Sequence, residues 1–153
     1  MNLRTRHAAL ALFVATVLLP AHARAEVSRV EITARRDVAG GRSFGSAGPY
    51  EQIVGKLYFA IDPANKRNRV ISDLDRAPKN ASGKIEMSAD LVILKPRDSS
   101  KGNGIALFDI VNRGRGVALA KFDAQVGGTS AALPDEYGDG FLLNRGYTIV
   151  QVG

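Results

Sequence analysis

The sequence contains no cysteine and only two histidines, His7 and His22, in 153 residues. The absence of cysteine excludes disulfide bonds, thiolate nucleophiles and zinc sites built on cysteine. Both histidines lie within the first 25 residues, so residues 26–153 cannot supply a Ser–His–Asp or Cys–His catalytic site. A histidine-ligated metal centre is excluded there for the same reason, and we predict neither a metal nor another cofactor.

Residues 1–25 have the pattern of a secretory signal peptide. Two arginines and no acid precede an uncharged stretch at residues 8–19, and the sequence Ala-Arg-Ala ends the segment at residue 25. Twelve helical residues reach roughly 18 Å, which is too short for a hydrocarbon core of about 30 Å. We therefore favour export to the periplasm or beyond, with no stable membrane anchor after cleavage, over an N-terminal anchor or a buried helix.

Removal of this segment halves the net charge. Of the 21 basic residues, three arginines lie in residues 1–25, so residues 26–153 keep 18 basic and 15 acidic residues and the charge falls from +6 to +3. Such a weak balance predicts no nucleic-acid partner. The basic cluster Lys66-Arg67-Asn68-Arg69 has no interleaved aromatic residue, which favours a solvated loop over a phosphate-binding patch.

The first part of the mature chain, residues 26–96, is rich in strand patterns. Apolar and polar residues alternate over residues 27–33, which predicts a half-buried strand. Glycine-rich turns are expected over residues 38–49. Two further strands are expected over residues 50–61, with Gly55 as a bulge or bend, and over residues 85–95.

Residues 105–153 have a different pattern, that of a βαβ unit. The nearly continuous apolar run at residues 105–111 predicts a strand covered on both faces, as in a parallel sheet. Short helices are expected over residues 117–122 and 140–145, the second with Asp139 as N-cap and Gly146 after its end. A last strand is expected over residues 147–152. Two buried strands make a thin core, so we expect the chain to be the front part of a larger domain.

Most short motifs in the chain favour structural roles. No Gly-x-Ser-x-Gly elbow and no phosphate-binding loop is present. Asp73 and Asp75 lack the remaining ligands of a calcium loop, so a polar loop is favoured. Asp135 and Glu136 are more typical of a helix start than of an acid–base pair.

The segment Asn112-Arg113-Gly114 is the one candidate for a ligand-binding site. It follows the most buried-looking strand, at the carboxyl end where open α/β sheets place ligands. Glycine at positions 114 and 116 lets backbone N–H groups approach a ligand, as an oxyanion hole requires. The spacing alone favours a tight turn between strand and helix over a ligand site.

Several segments together resemble the amino-terminal part of an uncharacterised family of exported α/β-hydrolase-domain proteins. The resemblance covers about residues 27–153, and three motifs carry most of it: Gly-Pro-Tyr-Glu at 48–51, Asp-Leu-Asp at 73–75 and Asn-Arg-Gly at 112–114.

The resemblance implies an α/β fold in which a β-rich amino-terminal segment leads into the first strands of a hydrolase sheet. Residues 105–111 and 147–152 would be its third and fourth strands, and Asn112, Arg113 and Gly114 its oxyanion loop. In that fold the nucleophile, acid and histidine come later in the chain. The resemblance thus implies esterase-like hydrolysis of a small ester-like substrate by the full-length form, with no catalytic residue in this chain. The alternative is a self-contained, non-catalytic, β-rich exported binding module.

Overall fold

The computed structural model describes residues 26–111, 116–123 and 137–153, which form one mixed sheet of six strands with two short helices. The strands are β1 (Glu26–Asp37), β2 (Ser43–Phe44), β3 (Gly48–Ile61), β4 (Ile85–Pro96), β5 (Ala106–Ile110) and β6 (Thr148–Val152). The helices are α1 (Ala118–Phe122) and α2 (Phe141–Asn144). The predicted β-rich character of the chain is confirmed.

The strand order is β1-β3-β4-β6-β5, with β2 paired to β3. β1, β3 and β4 form an antiparallel meander, and β6 is antiparallel to β4. β5 and β6 are parallel, and the chain between them contains both helices. Residues 105–153 therefore contain the predicted strand–helix–strand crossover, with β5 at the edge of the sheet.

One face of the sheet is covered by the helices and by the turns around β2. Eleven buried residues form the core there: Val38, Phe44, Ala47, Tyr50, Leu94, Ala118, Leu119, Tyr137, Leu142, Leu143 and Ile149. Phe44 lies edge-on to Tyr50, with ring centroids 5.5 Å apart, so aromatic packing fixes the turns against β3.

The opposite face carries apolar side chains that the described residues leave exposed. Six large side chains on this face are 44% to 74% exposed: Val27, Val30, Ile32, Met87, Phe108 and Ile110. The register places them on one face, because pairing runs without a shift from β3 through β4 and β6 to β5. We call this surface the open face.

At the far end from the helices, the covered side of the sheet is instead polar. Glu31, Lys56 and Asp90 lie opposite one another on β1, β3 and β4. Lys56 Nζ is 2.6 Å from Asp90 Oδ1. Here the sheet is polar on one face and apolar on the other, which is why alternation in the sequence predicted these strands.

The prediction that residues 105–111 form a strand covered on both faces is wrong for the described residues. β5 is an edge strand, and both helices pack on the same side of it. Phe108 is therefore 62% exposed and Ile110 74% exposed, although the run is as apolar as a central strand.

Other element boundaries also differ from the prediction, most of all for β1, which was expected over residues 27–33 and ends at Asp37. α2 begins at Phe141, and its N-cap residue is Gly140, which has a left-handed φ of 70°, and not Asp139 as predicted. Asp139 lies one residue earlier, where its Oδ1 accepts a hydrogen bond from Phe141 N (3.0 Å). Gly146 has φ 75°, as expected of a residue that ends a helix.

Gly55 does not itself form a bulge. β3 pairs with β4 through this position without interruption, and the irregularity lies in β1, between Ile32 and Ala34. A Cβ at Gly55 would collide with the carbonyl oxygen of Glu31, so glycine is needed for the close approach of two backbones.

Candidate functional site

The candidate site lies at the carboxyl end of the parallel pair β5 and β6. The predicted oxyanion-loop residues Asn112, Arg113 and Gly114 lie outside the described residues, but both flanks of the loop are described. On the first flank, Val111 N donates a hydrogen bond to Val152 O (2.9 Å), which continues the ladder beyond β5. The loop therefore leaves the sheet at the edge where open α/β sheets bind ligands.

Asp109 on β5 holds the second flank of the loop. Its carboxylate is buried, with 7% of the residue exposed. Oδ2 accepts hydrogen bonds from the backbone N–H groups of Val117 (2.8 Å) and Ala118 (3.0 Å), and Gln151 Nε2 lies 3.5 Å away. These N–H groups stabilise the buried charge, and the carboxylate in turn fixes the chain where it enters α1.

Gly116 packs directly on this group of side chains. A Cβ at Gly116 would collide with the side-chain amide of Gln151 and would lie 3.2 Å from Asp109 Oδ2. An added Cβ would force the side chain of Gln151 to move, so glycine at this position lets Gln151 pack against the backbone. Gly116 was predicted to allow the approach of a ligand, and its contact with Gln151 is a packing reason for glycine at this position.

Asp123 lies at the end of α1 and is fully buried. Its Oδ1 accepts a hydrogen bond from Leu142 N (2.9 Å) at the start of α2. Its Oδ2 has no hydrogen-bond partner among the described residues. Burial raises the pKa of this carboxyl to about 6, the hydrogen bond from Leu142 lowers it, and the nearby charge of Asp139 raises it.

Tyr50 belongs to the Gly-Pro-Tyr-Glu motif and joins the sheet to the crossover. Its hydroxyl donates towards Leu143 O (3.0 Å) and Tyr147 O (2.9 Å), on either side of the turn that leads into β6. Burial, followed by the charge of Asp123, raises the pKa of Tyr50 above its ordinary value. This side chain is therefore a neutral hydrogen-bond donor that fixes the turn.

Glu51, the last residue of the motif, forms ion pairs with Arg35 on β1 (2.9 Å) and Lys95 on β4 (2.9 Å). The hydrogen bond from Lys95 is the largest cause that lowers the pKa of Glu51. The motif thus has a structural role in the described residues: it links three strands and the crossover.

The other predicted candidates lie apart from this edge of the sheet. Asp73 is exposed in the loop between β3 and β4, 3.4 Å from Arg76, and Asp75 lies in the same loop. Asp135 and Glu136 lie outside the described residues. In the described ranges, no cluster of three or more His, Cys, Asp or Glu side chains could hold a metal ion.

Sequence reasoning did not single out Asp109 or Asp123. Asp109 is the one acid in the apolar run at residues 105–111, and a charge inside such a run is a usable signal, because a buried carboxylate needs specific partners. Asp123 carries no such signal. Its partner Leu142 lies 19 residues further along the chain.

The arrangement fixes backbone amide groups beside a loop at the carboxyl end of a parallel strand. The N–H groups of Val111, Val117 and Ala118 already donate to acceptors of the chain itself, so a ligand at this edge would have to be bound by other groups. No family model, curated protein or solved structure matches the chain. Within the described residues, no helix is both long enough and apolar enough to cross a membrane.

Proposed function

We propose that this chain forms the amino-terminal part of an exported α/β-hydrolase domain and supplies its oxyanion loop. In the full-length form the reaction is esterase-like hydrolysis of a small ester. The nucleophile, the acid and the histidine come from outside this chain, and no cofactor takes part. The observation that carries the proposal is the parallel β5–β6 pair, in which β5 is the last strand of the sheet among the described residues and is followed in the sequence by Asn112, Arg113 and Gly114.

The flanks of the loop support an oxyanion-binding role. Val111 continues the ladder on one side, and Asp109 holds the amides of Val117 and Ala118 on the other. Flanking residues that are fixed in this way restrict where the intervening segment can place its N–H groups, which favours binding of an oxyanion in the transition state. Asn112, Arg113 and Gly114 supply the donors in this proposal.

The open edge of β5 supports the presence of further sheet. Val111 N and Ile105 O both bond to β6, so by alternation the backbone groups of Ala106, Phe108 and Ile110 point to the unpaired side. The side chains of Phe108 and Ile110 are also exposed. An additional parallel strand would pair with these backbone groups, and a helix on the open face would bury the two side chains.

The gene beyond codon 153 provides the first test. We expect a continuing frame that encodes a Gly-x-Ser-x-Gly elbow and a later histidine. A frame with neither feature contradicts the proposal.

Kinetics of the extended protein provide the second test. It should hydrolyse p-nitrophenyl acetate, whereas residues 1–153 alone should give no turnover above buffer. Gly116→Ala in the extended protein should lower kcat by at least about tenfold, because the misplaced loop no longer fits the oxyanion. Gly102→Ala, before the other end of β5, serves as the matched control, because Gly102 has a φ of −73° and an added Cβ would lie 3.4 Å or more from its neighbours; it should leave kcat unchanged. Inhibitor-sensitive turnover by residues 1–153 would contradict the proposal.

The alternative of a non-catalytic binding module is favoured by one observation, the eleven-residue core on the covered face. This alternative would be supported by a chain that is monomeric and unfolds in one cooperative transition while nothing covers the open face. Aggregation or a loosely packed state would favour the incomplete hydrolase domain.

A further inference from the structure

The loop between β3 and β4, residues 62–84, presents a fixed tip to solvent. Asn68 is buried, and its Nδ2 donates to Asp62 O (2.8 Å). Asn65 Oδ1 accepts a hydrogen bond from Arg67 N (3.0 Å). Leu74 packs on Ile61 and Ile85 at the end of the sheet. The loop is thus anchored by side chains on both sides of the tip.

The tip exposes apolar side chains. Val70 is 87% exposed, more than any other large apolar residue in the described chain, and Ile71 is 41% exposed. The loop also adjoins the open face, because the pair after Ile61 and Ile85 on that face is Phe59 and Met87. Two neighbouring aliphatic side chains exposed at the tip of an anchored loop are typical of a contact surface.

The tip is also cationic and unpaired. Lys66, Arg67 and Arg69 are exposed, and none of them forms a salt bridge with a described residue. Of the six salt bridges in the described ranges, five lie outside this loop, and the sixth joins Arg76 to Asp73. These three exposed cations lie within four residues of one another, next to two exposed aliphatic side chains, so the tip can bind an external anion.

We propose that Lys66, Arg67, Arg69, Val70 and Ile71, here called the lipid tip, bind reversibly to an anionic lipid surface. The two aliphatic side chains enter the boundary between headgroups and acyl chains, and the three cations bind lipid phosphates. Aromatic residues are absent from residues 62–84, so bases of a nucleic acid find no stacking partner. Binding of this kind is peripheral, salt-sensitive and independent of hydrolysis.

Vesicle binding by the full chain tests the cationic half of the proposal. The probe is a vesicle of equal parts phosphatidylglycerol and phosphatidylcholine, compared with pure phosphatidylcholine. Arg67→Gln/Arg69→Gln should weaken binding to the anionic vesicle by at least about tenfold, because each surface cation contributes about fivefold. Lys101→Gln/Lys121→Gln removes the same charge elsewhere and should leave binding within about threefold. Salt at about 0.5 M should remove most of the difference.

A second pair of variants tests the apolar half. Val70→Ser/Ile71→Ser should weaken binding to the anionic vesicle by about tenfold or more, because two aliphatic side chains no longer enter the lipid. Val117→Ser serves as the control, since Val117 is also exposed (46%) but lies beside α1. All variants keep residues 1–25, so any binding by that segment is common to them and cancels in the comparison.

Two results overturn the proposal. Equal vesicle binding by the tip variants and their controls would mean that the tip is only a solvated loop. Tight binding to single-stranded DNA that is lost with Arg67→Gln/Arg69→Gln and kept with Val70→Ser/Ile71→Ser would assign the tip to a polyanion instead. Because none of these readouts uses ester hydrolysis, the outcome is separate from that of the proposed function.

Discussion

Asp123 is a buried acid whose two oxygens have different surroundings. Oδ1 accepts the N–H of Leu142, whereas Oδ2 has no partner among the described residues. The half-satisfied carboxylate is costly to bury in its charged form, and its raised pKa of about 6 expresses that cost. The fold therefore favours the protonated acid over a pH range in which the unfolded chain is ionised.

We expect Asp123 to make stability fall as pH rises from about 4 to about 6. In this window the folded chain keeps a proton that the unfolded chain, with a pKa of 3.8, releases. Asp123→Asn is neutral at every pH, so between pH 4 and pH 7 its Tm should rise relative to wild type by about 3–6 °C. Thermal unfolding monitored by circular dichroism measures the difference.

Asp75→Asn is the control for this experiment, because Asp75 is exposed and far from α1. Its Tm difference from wild type should stay constant over the same pH range. A pH-independent difference for Asp123→Asn would mean that the carboxyl is not protonated in the fold at pH 4–6.

Tyr50→Phe should cost about 1–3 kcal/mol, because the change removes the hydroxyl that bonds to Tyr147 O and Leu143 O; Leu143 O keeps the N–H of Gly146, whereas Tyr147 O loses this donor. Urea unfolding measures the loss. Tyr58→Phe is the matched control: its hydroxyl donates to Glu31 at the surface, so it should cost about 0.5 kcal/mol or less. Equal costs for the two variants would show that the Tyr50 hydroxyl does not hold the turn.

At the scale of elements, β5 combines an unpaired edge with an exposed apolar face. Protected edge strands usually carry charges or bulges, as β1 does with its two register shifts and its arginines. β5 has no bulge, and its side chains on the open face carry no charge. It is therefore the element of the described chain most prone to pair with other chains.

Phe108→Lys/Ile110→Lys should reduce self-association of the chain without unfolding it, because both side chains are mostly exposed and a lysine blocks edge pairing. Sedimentation velocity should show the wild type as larger species and the variant shifted towards monomer. Val117→Lys, an exposed apolar residue away from the edge, should leave the distribution unchanged. Monomeric wild type would contradict this expectation.

The sequence predicted the long strands better than their neighbours. β1, β3 and β4 have a polar and an apolar face, so alternation identifies them directly. The run at residues 105–111 shows only that its side chains are apolar. The sequence does not indicate which strand or helix packs against them. β2 has two residues, and its pairing with Gly48 and Pro49 depends on a turn with no periodic signal.

At the scale of the whole molecule, stability depends on one side of the sheet. The core on the covered face contains residues from β3, β4, β6 and both helices, so these elements share one set of contacts. The far end adds mainly surface ion pairs, such as Lys56–Asp90, which contribute little each. We expect one cooperative unfolding unit centred on the covered face.

Leu94→Ala should lower the free energy of unfolding by about 2–5 kcal/mol, because Leu94 is fully buried in that core. Chemical denaturation followed by both near- and far-ultraviolet circular dichroism measures the change and tests whether the two transitions coincide. Val30→Ala, on the open face and 53% exposed, should cost about 0.5 kcal/mol or less. Separate transitions for the two signals would contradict a single unit.

The strand that ends beside the candidate site was predictable from the apolar run at residues 105–111. Asn112, Arg113 and Gly114 lie outside the described residues and stay a prediction. The roles of Asp109 and Gly116 depend on contact with Gln151, which comes from another strand. Contacts between distant residues are set by packing, and local sequence patterns carry little information about them.

The Gly-Pro-Tyr-Glu segment connects the sheet to the crossover. Tyr50 hydrogen-bonds to the turn before β6, and Glu51 forms ion pairs that join β3 to β1 and β4. In the described fold the motif therefore has a structural role. A substitution at Tyr50 or Glu51 is therefore expected to loosen the packing of the crossover on the sheet. Its effect should be read first in stability, by thermal unfolding, before any effect on activity is assigned to chemistry.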